Sequence, residues 1–248
     1  MGEIQNTLDE ISLIRSDAQK MRKRAREQRA KGDDTSASRS FNKAAEKFQE
    51  AITRLRGELR AFRRESPESS PEVCRLLELL SQTYGSLGGT YRDAEDLVKA
   101  IKCYDEGYEI ELKRITQCQH KDSYNLLQRL VVRILLVPKA LSPDWKEPVH
   151  DVNVRAALDE AVKEIERQVF SGRDDSWALA DLALARFLSG QDAEQAIRDL
   201  EGRKSDASFY ESTLVVVEAL IKEGLGGTAL GEGLENFGRL LRRKGGMK

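Results

Sequence analysis

Cysteine, proline and long apolar runs are scarce in this chain of 248 residues. The three cysteines form an odd number with no CxxC spacing, which argues against a disulfide framework or a zinc site and fits a reducing compartment. The longest apolar run, 131–137, contains Arg133 and is far too short to span a bilayer. The first ten residues, MGEIQNTLDE, are acidic where a signal peptide needs basic residues. We therefore expect a soluble, cytoplasmic protein with no membrane segment.

The residues that are abundant predict an all-α fold. Charged residues make up 33% of the chain and hydrophobic residues 40%, and Ala, Glu, Leu, Arg and Lys dominate, which is typical of helical proteins. Residues with β-branched side chains rarely alternate with polar ones, so no segment predicts a strand. The formal net charge is −1, so the charge of the whole chain gives no argument for a nucleic-acid partner.

The N-terminal part predicts two long helices with matching apolar seams. Apolar or small residues recur every seven positions in both segments, at 4, 11, 18 and 25, at 14 and 21, at 41, 48, 55 and 62, and at 45, 52 and 59. The turn-rich stretch GDDTSASRS separates the two segments. We therefore predict that residues 1–66 form a long antiparallel helical hairpin. The stretch ESPESSP then interrupts the helical pattern.

Residues 71–248 predict a second domain made of shorter helices. A helical array, in which each helix pair buries its apolar face against the next pair, is expected from this pattern. Three prolines in residues 138–150 predict a rigid, irregular connection that divides the array into two sub-bundles. The expected helices are 71–90, 94–114, 121–137, 152–170, 174–189, 191–202, 206–223 and 229–244.

The glycine-rich stretch from Tyr84 to Glu111 identifies the kind of array. If Tyr84 is taken as position 4 of a 34-residue unit, large and small residues fall at positions 4, 7, 8, 11, 20, 24 and 27. In that order they are Tyr84, Leu87, Gly88, Tyr91, Ala100, Tyr104 and Gly107. This stretch resembles the tetratricopeptide repeat (TPR) family, in which small side chains let two helices approach closely. A phosphate-binding loop instead needs a preceding strand and a GK[ST] or GxGxxG pattern, and the sequence has neither.

The rest of the resemblance is weaker. A second, partial match to the repeat consists of Trp177, Ala180, Leu184, Ala193, Ile197 and Leu200. It is partial because Asp181 stands where the family has a small residue. Glu95 stands near the turn between the two helices, where the family favours glycine. The stretch from Leu79 through 124–127 to Leu136 is similar to bacterial TPR sensor proteins. These are related to the TRAF-binding central regulatory region of the apoptosis signal-regulating kinases.

The resemblance implies a binding function without catalysis. TPR proteins hold protein or peptide partners in a concave groove formed by the first helix of each repeat, and in the bacterial sensors the repeats regulate an effector, often in defence systems. In this sequence Gln82 and Arg92 fall at groove positions of the repeat. A polar stripe on helix 121–137 adds Asn125, Arg129 and Arg133. The alternative interpretation of these residues is the solvated side of amphipathic helices.

A second candidate surface is the basic segment from Lys20 to Arg64, which has 15 lysines and arginines against six acidic residues. Arg22, Arg26 and Arg29 share one helix face there. This segment offers the alternative function of a nucleic-acid-binding helical protein, although no aromatic residues are interleaved for base stacking. Other interpretations of this segment are a solvated outer face of a long helix, a surface covered by acidic parts of the chain, or an arm that forms a homodimer through its heptad seams.

No residue pattern predicts catalysis. The abundant acidic pairs are explained as solvated helix faces, the two histidines have no cysteine or histidine at ligand spacing, and Cys103 lies next to Tyr104 in the repeat with no histidine nearby in sequence. We expect no enzyme activity, no metal and no cofactor.

Overall fold

A computed structural model describes residues 2–65, 67–118, 124–170, 176–203, 205, 207–225 and 229–247. Within these residues the chain is all-helical, which confirms the predicted fold class. The α-helices are α1 (Gly2–Ala30), α2 (Asp34–Glu65), α3 (Pro71–Asp93), α4 (Leu97–Cys118), α5 (Tyr124–Leu136), α6 (Val154–Phe170), α7 (Ser176–Ser189), α8 (Glu194–Glu201), α9 (Ala207–Leu220) and α10 (Ala229–Gly245). The predicted helix starts at 121, 174 and 206 lie outside the described residues.

The contacts between helices divide the chain into two compact units, unit 1 (Met1–Lys121) and unit 2 (Asp122–Lys248). The sequence predicts different boundaries, namely a separate hairpin at 1–66 and a split at 138–150. The hairpin helices are not separate from the helices that follow, because α2 packs along α3 within unit 1. The connection at 138–150 stays inside unit 2, where a short 3₁₀ helix at Pro138–Leu141 packs on α5 and α6.

The heptad seams of α1 and α2 form much of the core of unit 1. Ile11, Ala18 and Ala25 of α1 are buried, as are the seam residues of α2, Phe41, Ala45, Phe48, Ile52, Leu55 and Leu59. The side chain of Ile4 lies outside the described residues. Glu10 of α1 contacts Arg54 of α2, and Gln28 of α1 contacts Ser40 of α2. The residue numbers therefore increase along α1 as they decrease along α2. The two helices are therefore antiparallel.

Helices α3 and α4 pack with a strict heptad register. Cys74 lies opposite Cys118, Ser81 opposite Glu111, and Gly88 opposite Tyr104. Each step of seven residues along α3 is thus matched by a step of seven in the opposite direction along α4. Residues 84–111 consequently form a helix–turn–helix, as the repeat pattern predicts.

Gly88 provides the close approach between α3 and α4. A Cβ atom added there would lie 3.0 Å from three ring atoms of Tyr104, which is tighter than ordinary van der Waals contact. We expect Gly88→Val to lower the free energy of unfolding by about 1–3 kcal/mol, because the ring and helix must shift to make room. Chemical denaturation followed by circular dichroism measures this change.

Gly57 supplies the matched control for Gly88, because it lies within α2 and has no atom within 4 Å of an added Cβ. Gly57→Ala is expected to raise the free energy of unfolding by roughly 0.5–1 kcal/mol through helix propensity alone. A stabilising effect at both positions would show that α3 and α4 do not need a small residue at 88.

The turn between α3 and α4 places Glu95 in the left-handed region, with φ 65°. This is the position where the TPR pattern favours glycine, and an L-residue there is strained by roughly 1–2 kcal/mol. We therefore expect Glu95→Gly to stabilise the protein by about 1 kcal/mol in urea denaturation. Glu109→Gly, at an exposed position inside α4, is the control and should destabilise by about 1 kcal/mol. Equal destabilisation by both changes would contradict this account of the turn.

The cysteines require a correction to the sequence-based expectation. Cys74 and Cys118 form a disulfide, with 5.8 Å between their Cα atoms, and Cys103 is free and buried. The expectation of no disulfide is wrong because it rested on sequence spacing, whereas the antiparallel register brings together two cysteines separated by 44 residues. The odd cysteine count is explained by the single buried thiol.

Arg133 organises the connection between α5 and α6 in unit 2. Its fully buried side chain donates hydrogen bonds from Nε to the main-chain oxygen of Val149 at 3.0 Å and from Nη2 to that of His150 at 3.2 Å. A third bond, from Nη1, reaches the main-chain oxygen of Arg129 at 3.0 Å. His150 and Asp151 both have positive φ, so this tight turn is held in a strained conformation by contacts that include the guanidinium.

Candidate interaction site

A row of polar contacts joins α1 to α3 along one side of unit 1. Arg15 lies opposite Gln82, and Arg22 lies next to Gly89. From the first pair to the second, the residue numbers increase by seven on both helices, so α1 and α3 are parallel. We call this row the α1–α3 seam. It has a mixed-charge end near Gln82 and a basic end near Asp93.

The mixed-charge end of the seam is partly exposed, with Arg15 and Glu78 half-buried. Arg15 donates from Nη2 to Oε1 of Gln82 at 3.3 Å, and Gln82 donates from Nε2 to Oε1 of Glu78 at 3.3 Å. Arg75 completes the row with a bond to Oε2 of Glu78 at 3.0 Å. Burial lowers the pKa of Arg15, Arg75 lowers it further, and Glu78 opposes the shift. A polar or acidic ligand could approach Arg75 and Gln82, because both side chains lie at the surface.

The basic end of the seam is a cluster of four arginines around one carboxylate. Arg22 and Arg26 each donate from Nε to Oδ2 of Asp93 at 2.7 Å, and Arg92 donates from Nη2 to Oδ1 at 3.1 Å. Arg29 donates to the main-chain oxygen of Asp93, at the C-terminal end of α3, where a cation is favoured by the helix dipole. We call these five residues the arginine cluster.

The electrostatics of the arginine cluster keep Asp93 ionised. Burial alone would raise the pKa of Asp93, but Arg22, Arg92 and Arg26 more than offset this effect and hold the pKa well below its usual range. Burial lowers the pKa of Arg26, and the neighbouring charge of Arg22 adds to that shift. Arg22, Arg26 and Arg92 face the carboxylate of Asp93, and Arg29 beside them pairs with Glu95 at 3.8 Å. Four arginines against two carboxylates leave an excess of positive charge in this part of unit 1, which favours acidic ligands.

Gly89 makes room for the arginine cluster. A Cβ atom at this position would lie 2.5 Å from Nη2 of Arg22, so any side chain would push the guanidinium away from its place against α3. The neighbouring glycines 88 and 89 therefore serve two different contacts, one with α4 and one with α1. The sequence pattern explains the first contact and gives no sign of the second.

The structure places the three arginines of the predicted basic surface in contact with Asp93. The side chains of Arg22, Arg26 and Arg29 are 14%, 27% and 33% exposed. Much of their hydrogen-bonding capacity is directed to α3 and not to solvent. Exposed residues of the Lys20–Arg64 segment include Arg24, Lys31, Arg39, Lys43, Arg60 and Arg64.

The residues of the predicted partner groove fall into both units. Gln82 and Arg92 belong to unit 1, whereas Asn125, Arg129 and Arg133 belong to unit 2. Gln82 is exposed, Arg129 is half-buried, and the other three side chains are buried inside the chain. The buried positions contribute to packing in this structure, so the surface open to a partner at these positions is centred on Gln82.

Sequence reasoning missed Asp93, the residue around which the candidate site is built. One aspartate among 42 acidic residues carries no local signal. Its importance follows from the parallel alignment of α1 with α3, which brings three arginines spaced along one face of α1 to the end of α3.

The described residues contain no group of three or more histidine, cysteine, aspartate or glutamate side chains placed to hold a metal ion. Every helix in the described part of the chain is too short or too polar to cross a lipid bilayer. Searches against protein-family models, curated proteins and solved structures give no match to this chain.

Proposed function

We propose that this protein is a non-catalytic interaction scaffold or sensor that binds a protein or peptide partner along the α1–α3 seam. The observation that carries the proposal is the seam itself, in which two parallel helices present a continuous row of charged and amide side chains. In helical-repeat proteins, adjacent parallel helices form the surface that holds extended ligands.

We further propose that the helices form an irregular TPR-like α-solenoid. The packing order in unit 1 supports this proposal, since α1 packs on α2, α2 on α3, and α3 on α4. The contact of Gly88 with Tyr104 supports it as well, because the repeat pattern requires a small residue at that position. These two observations are independent of each other, since one concerns the order of helices and the other the distance between a single pair.

The chemistry of the seam favours a partner segment with acidic side chains. The excess positive charge of the arginine cluster attracts such a segment, and the exposed Arg75 and Gln82 provide charged and amide hydrogen-bond donors. We propose that the partner is an effector protein, in keeping with the similarity to bacterial TPR sensors of defence and signalling systems, and that the protein acts in the cytoplasm. A homodimer through the α1–α2 seams is a further part of this proposal.

Photo-crosslinking from a single position tests the proposed surface. A photoreactive amino acid replaces Gln82 on the seam, and in a separate variant it replaces Gln49, an exposed glutamine of α2 that contacts Tyr91 on another face of α3. Cells expressing each variant are irradiated, and crosslinked proteins are identified by mass spectrometry. We expect one protein to crosslink at position 82 and not at position 49, with nuclease treatment making no difference.

Two results would overturn the proposal. Equal labelling of the same protein from both positions would mean that contact is not specific to the seam. Crosslinks that disappear after nuclease treatment, together with oligonucleotide binding that falls steeply with salt, would favour the nucleic-acid function of the basic segment 20–64.

A further inference from the structure

We propose that the Cys74–Cys118 disulfide is a redox-responsive clasp that fixes the end of α4. This inference rests on the cytoplasmic location proposed above, and does not depend on the proposed partner surface. The clasp joins the first turn of α3 to the last residue of α4. It lies one heptad beyond the Ser81–Glu111 contact and two heptads beyond the Gly88–Tyr104 contact, so it closes the open end of a helix pair that is already in register.

The clasp acts on the last turn of α4, whose hydrogen bonds to other segments lie at the surface. Gln117, next to Cys118, accepts a hydrogen bond from Arg63 at 3.4 Å and donates one to Glu68 at 2.9 Å, and both partners are exposed. Exposed polar contacts of this kind contribute little stability. Unit 1 ends at Lys121, so the clasp determines how firmly the last helical turn before the boundary is held.

The accessibility of the three cysteines favours reversible exchange at the clasp. Cys74 and Cys118 are both half-buried, whereas Cys103 is buried. Burial raises the pKa of Cys103 to about 12, and Glu106 and Asp96 add to the shift, so its thiolate is scarce at neutral pH. Along α4, Cys103 lies roughly 22 Å from Cys118, at 1.5 Å per residue. Internal exchange with Cys103 is therefore excluded, and only an external thiol can open the clasp.

The reaction with a dithiol reductant is a simple exchange. One reductant thiolate attacks a sulfur of the clasp, forms a mixed disulfide and releases one protein cysteine as a thiolate. The second reductant thiol then displaces the other cysteine. Two protein cysteines gain two protons and two electrons, and the dithiol leaves as its own disulfide. Dithiol reductants occur in the cytoplasm, the compartment proposed above, where disulfides are usually transient and either catalytic or redox-sensing.

Opening the clasp is expected to loosen the end of α4 and leave the rest of the pair intact. The disulfide closes a loop that spans 44 residues of sequence, so its loss increases the conformational freedom of the unfolded chain and lowers stability. The Gly88–Tyr104 contact is noncovalent and remains. Because Val73, Leu76, Leu77 and Arg114 are buried, we expect only the last turn of α4, residues 115–118, to open locally, while residues 84–107 stay folded.

Thiol counting combined with hydrogen exchange tests the proposal on the full-length protein. The oxidised protein should show no reactive thiol when native and one when denatured without reductant. Mild dithiothreitol should expose two thiols in the native protein. Amide exchange in 115–118 should then become at least fivefold faster, with 84–107 unchanged, and the melting temperature of unit 1 should fall by roughly 10 °C.

Two variants complete the test. Cys103→Ser should retain the full response to reductant, whereas Cys118→Ser should show the fast exchange pattern with or without reductant. Three reactive thiols in protein isolated under air and denatured without reductant would overturn the proposal. A disulfide that reductant opens without any change of amide exchange in 115–118 would overturn it as well.

Discussion

Replacing Asp93 with asparagine is expected to lower the free energy of unfolding by about 3–5 kcal/mol. The change removes the one carboxylate that Arg22, Arg26 and Arg92 share. Breaking a buried ion pair from one side leaves uncompensated charge in a poorly solvated place, and the cost is of this size. Urea denaturation followed by circular dichroism measures the loss, and hydrogen exchange in peptides from α1 and α3 locates it.

Asp17→Asn is the matched control for Asp93. Asp17 pairs with Lys20 at 3.4 Å, and both side chains are well exposed, so this change should cost less than about 0.5 kcal/mol. A second check uses the double variant Asp93→Asn with Arg26→Gln. Removing one of the opposing charges should recover part of the lost stability, so the double variant should be more stable than the sum of its single changes predicts. Strict additivity would contradict our account of the cluster.

Acid sensitivity gives an independent measure of the Asp93 interaction. The folded-state pKa of Asp93 is lowered below its unfolded value of 3.8, so the folded state binds fewer protons. Its contribution to stability is complete above about pH 4 and is lost as the pH falls further toward the folded-state pKa. We expect the stability of the wild type to fall more steeply below pH 4 than that of Asp93→Asn.

Arg133→Met is expected to lower the free energy of unfolding of unit 2 by about 3 kcal/mol or more. Arg133 is 1% exposed and donates to three main-chain oxygens. Methionine fills a similar apolar volume but donates nothing, so three hydrogen bonds from a charged donor are lost, each worth at most about 1.5–3 kcal/mol. Both tryptophans of the chain lie in unit 2, so tryptophan fluorescence follows this unit during denaturation.

Arg155→Met is the control for Arg133, because Arg155 is exposed on α6. Its effect should stay within about 0.5 kcal/mol. If Arg133→Met instead left stability unchanged while weakening partner binding, Arg133 would be a binding residue, as the helical stripe suggests, and not the anchor of the connection at 149–150.

The sequence pattern predicts most of the helices, because each has a local signal, although α2 begins at Asp34, inside the stretch GDDTSASRS that the pattern assigns to the connection. Heptad seams mark α1 and α2, and the TPR spacing marks α3 and α4, down to the turn where Glu95 adopts a glycine-like conformation. The close contact at Gly88 follows from the same spacing. These features are predictable because they depend on residues that are near one another in sequence.

Features that depend on the packing of distant segments are not predictable in the same way. Asp93 meets arginines 64 to 71 residues away, and Cys74 meets a cysteine 44 residues away. Arg133 belongs to a polar stripe in the sequence pattern, yet its side chain is buried because the connection at 149–150 folds back over it. In each case a residue with no partner nearby in the sequence has one in the fold.

The central claim is that a partner binds along the α1–α3 seam. It is tested most directly by the affinity of the protein that crosslinks to a photoreactive residue at position 82. A seam variant carries Arg75→Glu and Gln82→Glu, and a control variant carries Arg60→Glu and Gln49→Glu. All four positions are exposed, and the two variants have the same net charge. We predict that the dissociation constant, measured by isothermal titration calorimetry, rises at least tenfold for the seam variant and stays within about twofold of wild type for the control. Equal weakening by both variants, or weakening by the control alone, would contradict binding along the α1–α3 seam.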